Sequence, residues 1–402
     1  MCNDFITHHM WALTSRLISK RIFEKWDPHM GRPVSANPHD FGNWSTNYTI
    51  LDLIGLDYPC AHGPCYDHVH TIAPTYPIIG SEMGSTTSDR SIYPQSRNVS
   101  KARGDGGAVP ENVASMARSA GCWEKVLDLP YVSGAFEWSG FDYKGEPVPN
   151  EWPDVNSHFG FLDIAGFMKE RGHWQRVWLA NPEPPAIHVF PHWNWETGMN
   201  ITVFAFSNVP GGSIELSLNG QSLGNRTITK VGAWVTWDVP YTPGTLTAQA
   251  YRDNSSAVCA QTSVATTDAP AALRLSIRDG VGATGIALDG ADVALIMAEV
   301  VDAKGRVVPV ASNVLSFSVN STWTRIIGTG NGNPASHTPD KSPTREAFNG
   351  LAIVIVQTVR PRKEAWANDN VDSAVMVSVS SPGLQDDSIA IELLPAADQS
   401  TL

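Results

Sequence analysis

A change in hydrophobic periodicity divides the sequence near residue 182. Downstream of a proline cluster, apolar and polar residues alternate strictly, as in Ile201-Val203-Ala205 and Ile214-Leu216-Leu218. Strict alternation predicts half-buried β-strands, whereas the residues upstream mix short apolar runs with helical spacing. The sequence therefore predicts the fold class α/β plus all-β, with Pro182, Pro184 and Pro185 in the linker.

The upstream region reads as strands that alternate with helices or loops, the pattern of a parallel α/β arrangement. An amphipathic helix is predicted from Met10 to Trp26 and another from about Pro110 to Cys122, which Gly121 would end. The predicted strands are one within 31–37 and three at Leu51–Tyr58, Pro77–Ile79 and Val132–Trp138.

The downstream region reads as two β-sandwiches. Asn219-Gly220 follows an alternating run, and this dipeptide is a strong signal for a two-residue hairpin turn. A second series of strands begins at about residue 270. Each series has its own turn signals, so we expect each sandwich to form its own core.

Charge and hydropathy exclude two classes of partner. The net charge of −12 argues against nucleic acid, which requires a basic surface. No apolar run approaches the roughly 20 residues of a membrane span, so no membrane association is expected. Fourteen Trp residues suit sugar stacking, although core packing accounts for most of them.

The five cysteines do not form the even set of a disulfide framework. Cys60 and Cys65, with His68 and His70, imitate a metal site, but their spacing is not that of thiol zinc sites. A local disulfide or two free thiols is the preferred interpretation, and no metal is expected.

Seven Asn-x-Ser/Thr sequons suggest a secreted glycoprotein if the source is eukaryotic. Such triplets also arise by chance in chains rich in Ser and Thr, so localisation stays open. They begin at Asn43, Asn47, Asn98, Asn200, Asn225, Asn254 and Asn320.

Glu82 is the candidate catalytic residue. It follows the apolar run Pro77–Ile79, which breaks at Gly80-Ser81. The carboxyl end of a barrel strand is where catalytic groups lie, and a carboxylate there can act as a nucleophile or as an acid/base. The structural alternative is a Glu that caps a helix.

One stretch of the sequence resembles the last barrel strand and the following loop of glycoside hydrolase family 2, β-galactosidase branch. It consists of Val132-Ser-Gly-Ala-Phe-Glu-Trp-Ser-Gly-Phe-Asp-Tyr-Lys-Gly-Glu-Pro147, then Trp152-Pro153 and residues 158–169. The resemblance implies that Glu82 is the nucleophile. It implies that Trp138 lies beneath the sugar, and that Asp142 and Tyr58 bind substrate. The implied substrate is a β-linked galactoside or related oligosaccharide, with no cofactor.

The same resemblance extends over nearly the whole chain and implies its domains. Residues 1–181 correspond to the C-terminal half of a (β/α)8 (TIM) barrel. Residues 182–268 correspond to an immunoglobulin-like β-sandwich, and 269–396 to a second, invasin-like one. The strands that would complete the barrel have no counterpart in the sequence.

A second catalytic carboxyl is the missing element. Retaining glycosidases need two, about 5–5.5 Å apart. In the family the acid/base is the Glu of an Asn-Glu pair that ends the fourth barrel strand, but Asn150-Glu151 follows the last strand. Glu137 departs from the family pattern and is expected on the outer face of its strand.

We therefore expect a retaining glycosidase fragment that is inactive alone. It would function as a homo-oligomer or with a missing N-terminal half. The alternative is an inactive remnant or a carbohydrate-binding β-sandwich protein.

Overall fold

The chain forms two compact units in a computed structural model. The first unit comprises Met1–Thr86 and Asn112–Gly140, and the second comprises Thr87–Glu111 and Phe141–Leu402. The residues that the structure describes are 18, 20–23, 25–27, 33–36, 52–59, 66–96, 108–111, 113–179, 183–230, 232–278, 284–360 and 372–396.

The first unit contains a four-stranded parallel sheet in the order β1-β2-β3-β4. Its strands are β1 (Ser35–Ala36), β2 (Leu53–Asp57), β3 (Ile78–Gly84) and β4 (Val132–Trp138). Helix α1 (Tyr66–Ile72) follows β2, and α2 (Val113–Asp128) follows β3. This confirms the parallel α/β interpretation. In the described part of the chain the sheet ends at β1 and β4, and the half-barrel stays a prediction.

The sheet and its helices share one apolar core. Because side chains alternate across a strand, one face of β2, β3 and β4 packs with α1 and α2. The buried members of this core are Ile54, Leu56, Tyr66, Val69, Ile78, Val126 and Val132.

The sequence predicts that helix α2 ends at about Cys122, but the helix continues to Asp128. Gly121 is tolerated within the helix because it faces open space, and a methyl group added there would meet no atom within 4 Å. Beyond this glycine, the side chains of Cys122 and Val126 are buried. Packing against the sheet therefore overrides the local stop signal.

Strand β3 does not break at Gly80-Ser81, so Glu82 lies within the strand and not after it. Gly80 is required by a close approach. A Cβ atom there would lie 2.5 Å from the Tyr66 hydroxyl and 2.8 Å from Cβ of Ala135. Gly80-Ser81 resembles a turn signal in the sequence. In the structure it is a point where Tyr66 of α1 and Ala135 of β4 lie close to the strand.

The predicted N-terminal helix is described only in part. Residues 18, 20–23, 25 and 26 are helical, and the rest of Met10–Trp26 lies outside the described residues. Lys20 bonds Asp52, at 3.0 Å between Nζ and Oδ1.

The second unit begins its regular structure with α3 (Glu170–Leu179), followed by a first β-sandwich. Sheet β5-β6-β9 packs on sheet β11-β10-β7-β8 around a shared core that includes Trp193, Trp237 and Leu246. The strands are β5 (Ile187–Phe190), β6 (Asn200–Ser207), β7 (Ser213–Leu218), β8 (Gln221–Thr227), β9 (Trp234–Pro240), β10 (Thr245–Tyr251) and β11 (Val258–Ala265).

The predicted hairpin between β7 and β8 is confirmed. Asn219 and Gly220 have φ angles of 51° and 80°, the left-handed values that a two-residue hairpin turn of this type demands.

A second sandwich follows from Pro270, close to the predicted start. Sheet β12-β14-β18-β16 packs on sheet β13-β20-β19-β15-β17. Its strands are β12 (Pro270–Ile277), β13 (Ile286–Ala287), β14 (Val293–Asp302), β15 (Val314–Val319), β16 (Thr324–Gly330), β17 (Thr344–Glu346), β18 (Leu351–Thr358), β19 (Ala374–Ser380) and β20 (Asp387–Leu394). The immunoglobulin-like topology and the boundaries 182–268 and 269–396 stay predictions.

None of the helices in the described ranges is long and apolar enough to cross a membrane.

Candidate functional site

Glu82 lies near the carboxyl end of β3, between strands that contribute two further candidates. Its Cα pairs in register with Asp57 of β2, and Gly84 pairs with Trp138 of β4. Because the strands are parallel, their carboxyl ends share one edge of the sheet. The fold therefore brings Tyr58, Glu82 and Trp138 to the same edge.

Tyr58 fixes the Glu82 carboxylate. The Tyr58 hydroxyl donates a short hydrogen bond to Oε1 of Glu82. The Tyr58 backbone N–H donates to the Glu82 carbonyl oxygen at 2.6 Å. Burial raises the pKa of Tyr58, and the bond to Glu82 raises it further. Tyr58 is thus a neutral, permanent donor that orients one carboxylate oxygen and leaves the other for chemistry.

A second hydrogen bond crosses the same two strands. Ser81 Oγ donates to Oδ1 of Asp57 at 2.7 Å. Gly55 keeps space beside it, since a Cβ there would lie 2.7 Å from Oγ of both Ser35 and Ser81. Sequence reasoning missed this pair, because the alternation of β2 predicts Asp57 only as a polar residue.

Trp138 ends β4 with an accessible indole. Its carbonyl oxygen accepts a hydrogen bond from the Ser85 N–H at 3.0 Å, and the Trp138-Ser139 peptide bond is cis. Trp138 is 36% exposed and Phe136, on the same face of the strand, is 66% exposed. Exposed aromatic rings on one face provide a surface on which the apolar side of a sugar ring can stack.

Glu137 lies on the opposite face of β4. Its Oε1 accepts a hydrogen bond from Trp123 Nε1 of α2 at 2.5 Å. This bond places Glu137 on the face of β4 that α2 covers, and its position on the outer face of a barrel stays a prediction.

Asp142 belongs to the second unit, where a buried lysine engages it. Lys169 Nζ lies 2.8 Å from the Asp142 carboxylate, and the Gly160 N–H donates to Oδ1 at 2.8 Å. Burial raises the pKa of Asp142 to about 6, although Lys169 opposes the rise. A substrate contact by Asp142 stays a prediction, because its described contacts are structural.

The segment that follows Asp142 is built around buried His158. Its Nδ1 lies 2.5 Å from Oδ1 of Asp89. Its Nε2 lies 3.2 Å from Oδ2 of Asp154, near enough to pair but poorly aligned for a hydrogen bond. Burial lowers the pKa of His158, but the two carboxylates outweigh it and raise the value to about 9.

The Asn150-Glu151 pair lies in the same segment and has no catalytic geometry. Asn150 Nδ2 donates to Oδ2 of Asp154 at 2.7 Å, and Glu151 is exposed. The structure assigns neither residue to a strand, as the sequence predicts.

We expect His158→Gln to destabilise the second unit most at pH 6 and least at pH 9.5. A histidine whose folded pKa is raised from 6.5 to about 9 contributes stability below pH 6.5 that is lost as pH rises through 9. The contribution is about 3 kcal/mol, on the scale of 1.36 kcal/mol per pKa unit. Chemical denaturation of both proteins at pH 6, 8 and 9.5 measures it. A stability difference that is constant across this range would contradict the assignment.

The sequence predicts no metal site at Cys60, Cys65, His68 and His70, and the structure describes only the two histidines. Cys60 and Cys65, and with them the predicted disulfide or free thiols, lie outside the described residues. His70 stacks on Tyr131 with ring centroids 3.8 Å apart. No group of three His, Cys, Asp or Glu side chains suited to a metal occurs among the residues that the structure describes.

Two family models match the all-β region. Residues 280–390 match "Glycoside hydrolase family 2 C-terminal domain 5", and residues 198–259 match a domain of unknown function, DUF4982.

Curated relatives match more of the chain. Beta-galactosidase BoGH2A of Bacteroides ovatus is 31% identical over 389 residues, which cover 93% of this chain and 42% of that protein. A putative beta-glucuronidase of Formosa agariphila is 34% identical over 258 residues, which cover 60% of this chain and 23% of that protein. The chain thus spans less than half the length of these relatives.

A solved structure shares the fold. The crystal structure of a beta-glycosidase from Bacteroides vulgatus superposes with a TM-score of 0.72 at 23% identity, covering 92% of this chain and 48% of that one. At this identity the comparison concerns the fold alone.

Proposed function

Because the chain belongs to glycoside hydrolase family 2, we propose that it carries the nucleophile of a retaining β-glycosidase, Glu82. One Glu82 oxygen attacks the anomeric carbon of the sugar, and the glycosidic bond breaks as the leaving oxygen takes its electron pair. Water then attacks the anomeric carbon, the bond to Glu82 breaks and restores the carboxylate, and the proton of the water passes to solvent.

The observation that carries the proposal is the Tyr58–Glu82 pair on adjoining strands. A nucleophile must be held in one orientation. The Tyr58 hydroxyl, whose pKa is raised, holds it by donating a hydrogen bond to Oε1 of Glu82. Trp138, one strand away, supplies the apolar surface for the sugar ring.

We propose a β-galactoside as the substrate. Support comes from the relative that matches 93% of this chain, which is named a beta-galactosidase. A β-glucuronide is the second candidate, since another relative is named a putative beta-glucuronidase. The two sugars differ in charge, so analogues of both are compared directly.

A proton donor for Glu82 is not identified among the residues that the structure describes. The single Asn-Glu pair of the sequence is in a loop, and Glu137 bonds Trp123. The sequence predicts a chain that is inactive alone; we narrow this and propose that the chain by itself transfers only sugars whose leaving group departs without protonation. Dinitrophenolate is such a group, whereas phenolate is not.

The experiment is covalent trapping. A dinitrophenyl β-galactoside fluorinated beside the anomeric carbon forms the glycosyl-enzyme and slows its hydrolysis. We expect mass spectrometry to find one fluorogalactosyl group, on the peptide that contains Glu82. The matching phenyl galactoside should leave the chain unlabelled.

Three other outcomes would change the proposal. Label on another residue, or none, would overturn the role of Glu82. Label from the glucuronide analogue alone would keep Glu82 but exchange the substrate. Steady hydrolysis of the phenyl galactoside would show that the chain contains a proton donor after all.

A further inference from the structure

Strand β3 contains one more residue than each neighbouring strand just before Glu82. On the β2 side, the successive register pairs are Leu56–Gly80 and Asp57–Glu82. Ser81 lies between the two paired residues of β3 and therefore has no register partner on β2. On the β4 side, two residues of β3 likewise face one residue of β4. An extra residue of this kind is a β-bulge, which changes the direction in which the following side chains point.

The pairing with β4 shows which way Glu82 points. Glu137 lies on the face of β4 that α2 covers, because it accepts a hydrogen bond from Trp123 of that helix. Met83 pairs in register with Glu137, so both side chains point to the same face of the sheet, and Met83 is completely buried. Glu82 precedes Met83 and therefore points to the opposite face, which the helices do not cover.

Without the extra residue, Glu82 would point beneath the helices. A Cβ atom at Gly80 would lie 2.5 Å from the Tyr66 hydroxyl of α1, so position 80 faces the helices as well. In a regular strand every second residue shares a face, and residue 82 would then follow position 80. The bulge places Met83 on the helix-covered face instead. It thereby turns Glu82 to the face of Trp138, which follows Glu137 on β4.

A hydrogen bond between side chains holds the bulge. Ser81, the extra residue, donates from Oγ to Oδ1 of Asp57 at 2.7 Å. Gly55 provides the space for this bond, because a Cβ atom there would lie 2.7 Å from Ser81 Oγ. Directly after Asp57, the Tyr58 N–H donates to the Glu82 carbonyl oxygen at 2.6 Å. The bulge is thus tied to the strand that carries the hydroxyl donor of Glu82.

We propose that Ser81 and Asp57 are positioning residues for the nucleophile. Their hydrogen bond fixes the bulge, and the bulge directs the Glu82 carboxylate to the face of Trp138 and to the Tyr58 hydroxyl. Both residues act through Glu82 and neither contacts the sugar. Asp57 serves as a hydrogen-bond acceptor, so its negative charge is not required. The inference rests on the proposed function, since a positioning role needs a nucleophile to position.

The test is the first turnover of dinitrophenyl β-galactoside by the 402-residue chain, followed by stopped-flow absorbance over a range of substrate concentrations. We expect Ser81→Ala and Asp57→Ala each to lower the maximal rate of glycosylation by about tenfold or more, because a misplaced nucleophile loses its attacking geometry. The half-saturating substrate concentration should stay within about twofold of wild type, since Trp138 lies on a different strand.

Three further variants separate positioning from other roles. Asp57→Asn keeps an acceptor oxygen for Ser81 but removes the charge, so it should react at close to the wild-type rate. The double variant Ser81→Ala/Asp57→Ala should be no slower than either single variant, because the two side chains form one bond. Thr202→Val is the matched control. It removes a hydroxyl that donates to Asp238 at 2.7 Å across two strands of the first sandwich, and it should react normally.

The outcomes distinguish this inference from the function on which it rests. If covalent trapping labels Glu82 in the wild-type chain but Ser81→Ala reacts within about twofold of wild type, the positioning role is wrong and the nucleophile stands. Additive losses in the double variant, or an Asp57→Asn protein as slow as Asp57→Ala, would also overturn the positioning role. If the wild-type chain is not labelled at Glu82, the proposed function fails and the positioning role fails with it. Ser81→Ala removes a single oxygen atom, so this variant is expected to fold even if Asp57→Ala does not.

Discussion

Glu82→Gln is expected to slow the release of dinitrophenolate from dinitrophenyl β-galactoside by about three orders of magnitude or more, equivalent to roughly 4 kcal/mol of barrier. The amide keeps the shape of the side chain and can still accept the hydrogen bond from Tyr58. It lacks the negative oxygen that attacks the anomeric carbon. Loss of rate with intact folding is therefore the signature of a lost nucleophile.

Stopped-flow absorbance of the first turnover measures this rate, because it reports the glycosylation step alone. Sugar binding should survive, since the amide occupies the same volume. Glu151→Gln and Glu137→Gln are the controls. The first lies in an exposed loop and the second bonds Trp123, so both should react at the wild-type rate. A Glu82→Gln protein within tenfold of wild type would refute the assignment.

Features governed by neighbouring residues in the sequence could be predicted from it. The Asn219-Gly220 turn is specified by two residues with left-handed φ angles, so the hairpin between β7 and β8 was predictable. The order of the parallel strands followed from short apolar runs separated by helical or looped segments. The prediction that Glu82 lies near a strand end rested on two signals, the apolar run Pro77–Ile79 and the turn residues Gly80-Ser81.

Features governed by distant partners could not be predicted in this way. Gly80-Ser81 resembles a strand end, but the strand continues because Tyr66 and Ala135 approach the glycine from other elements. Gly121 resembles a helix end, but the buried face beyond it keeps α2 intact. In both cases tertiary packing decided against a local signal.

The buried polar groups of the second unit show the same limit. The motif Trp-Ser-Gly-Phe-Asp places Asp142 among candidate substrate contacts, and no local pattern indicates that Lys169 engages it. Likewise the His158 pairs with Asp89 and Asp154 could not be read from spacing. Side-chain pairing across long sequence separations depends on how the loops fold over the sandwich.

Lys169→Met is expected to destabilise the second unit by about 3–5 kcal/mol at pH 7, because it leaves the Asp142 carboxylate buried without its counter-charge. Lys169 is 1% exposed. Its Nζ also donates to the carbonyl oxygens of Ser88 and His158, at 2.6 Å and 3.1 Å. Those acceptors lose a partner in the variant as well. Chemical denaturation followed by tryptophan fluorescence measures the loss.

The pH dependence distinguishes a lost charge pair from lost packing. The pKa of Asp142 is raised from 3.8 to about 6, so its ionisation opposes folding progressively as pH rises through this interval. Without Lys169 that opposition grows, and the variant should therefore lose more stability at pH 7 than at pH 5, where the carboxyl is protonated. Asp142→Asn combined with Lys169→Met removes the charge itself and should recover part of the loss at pH 7. A loss that is equal at both pH values, or a double variant no more stable than the single one, would mean that Lys169 acts through packing and its carbonyl contacts alone.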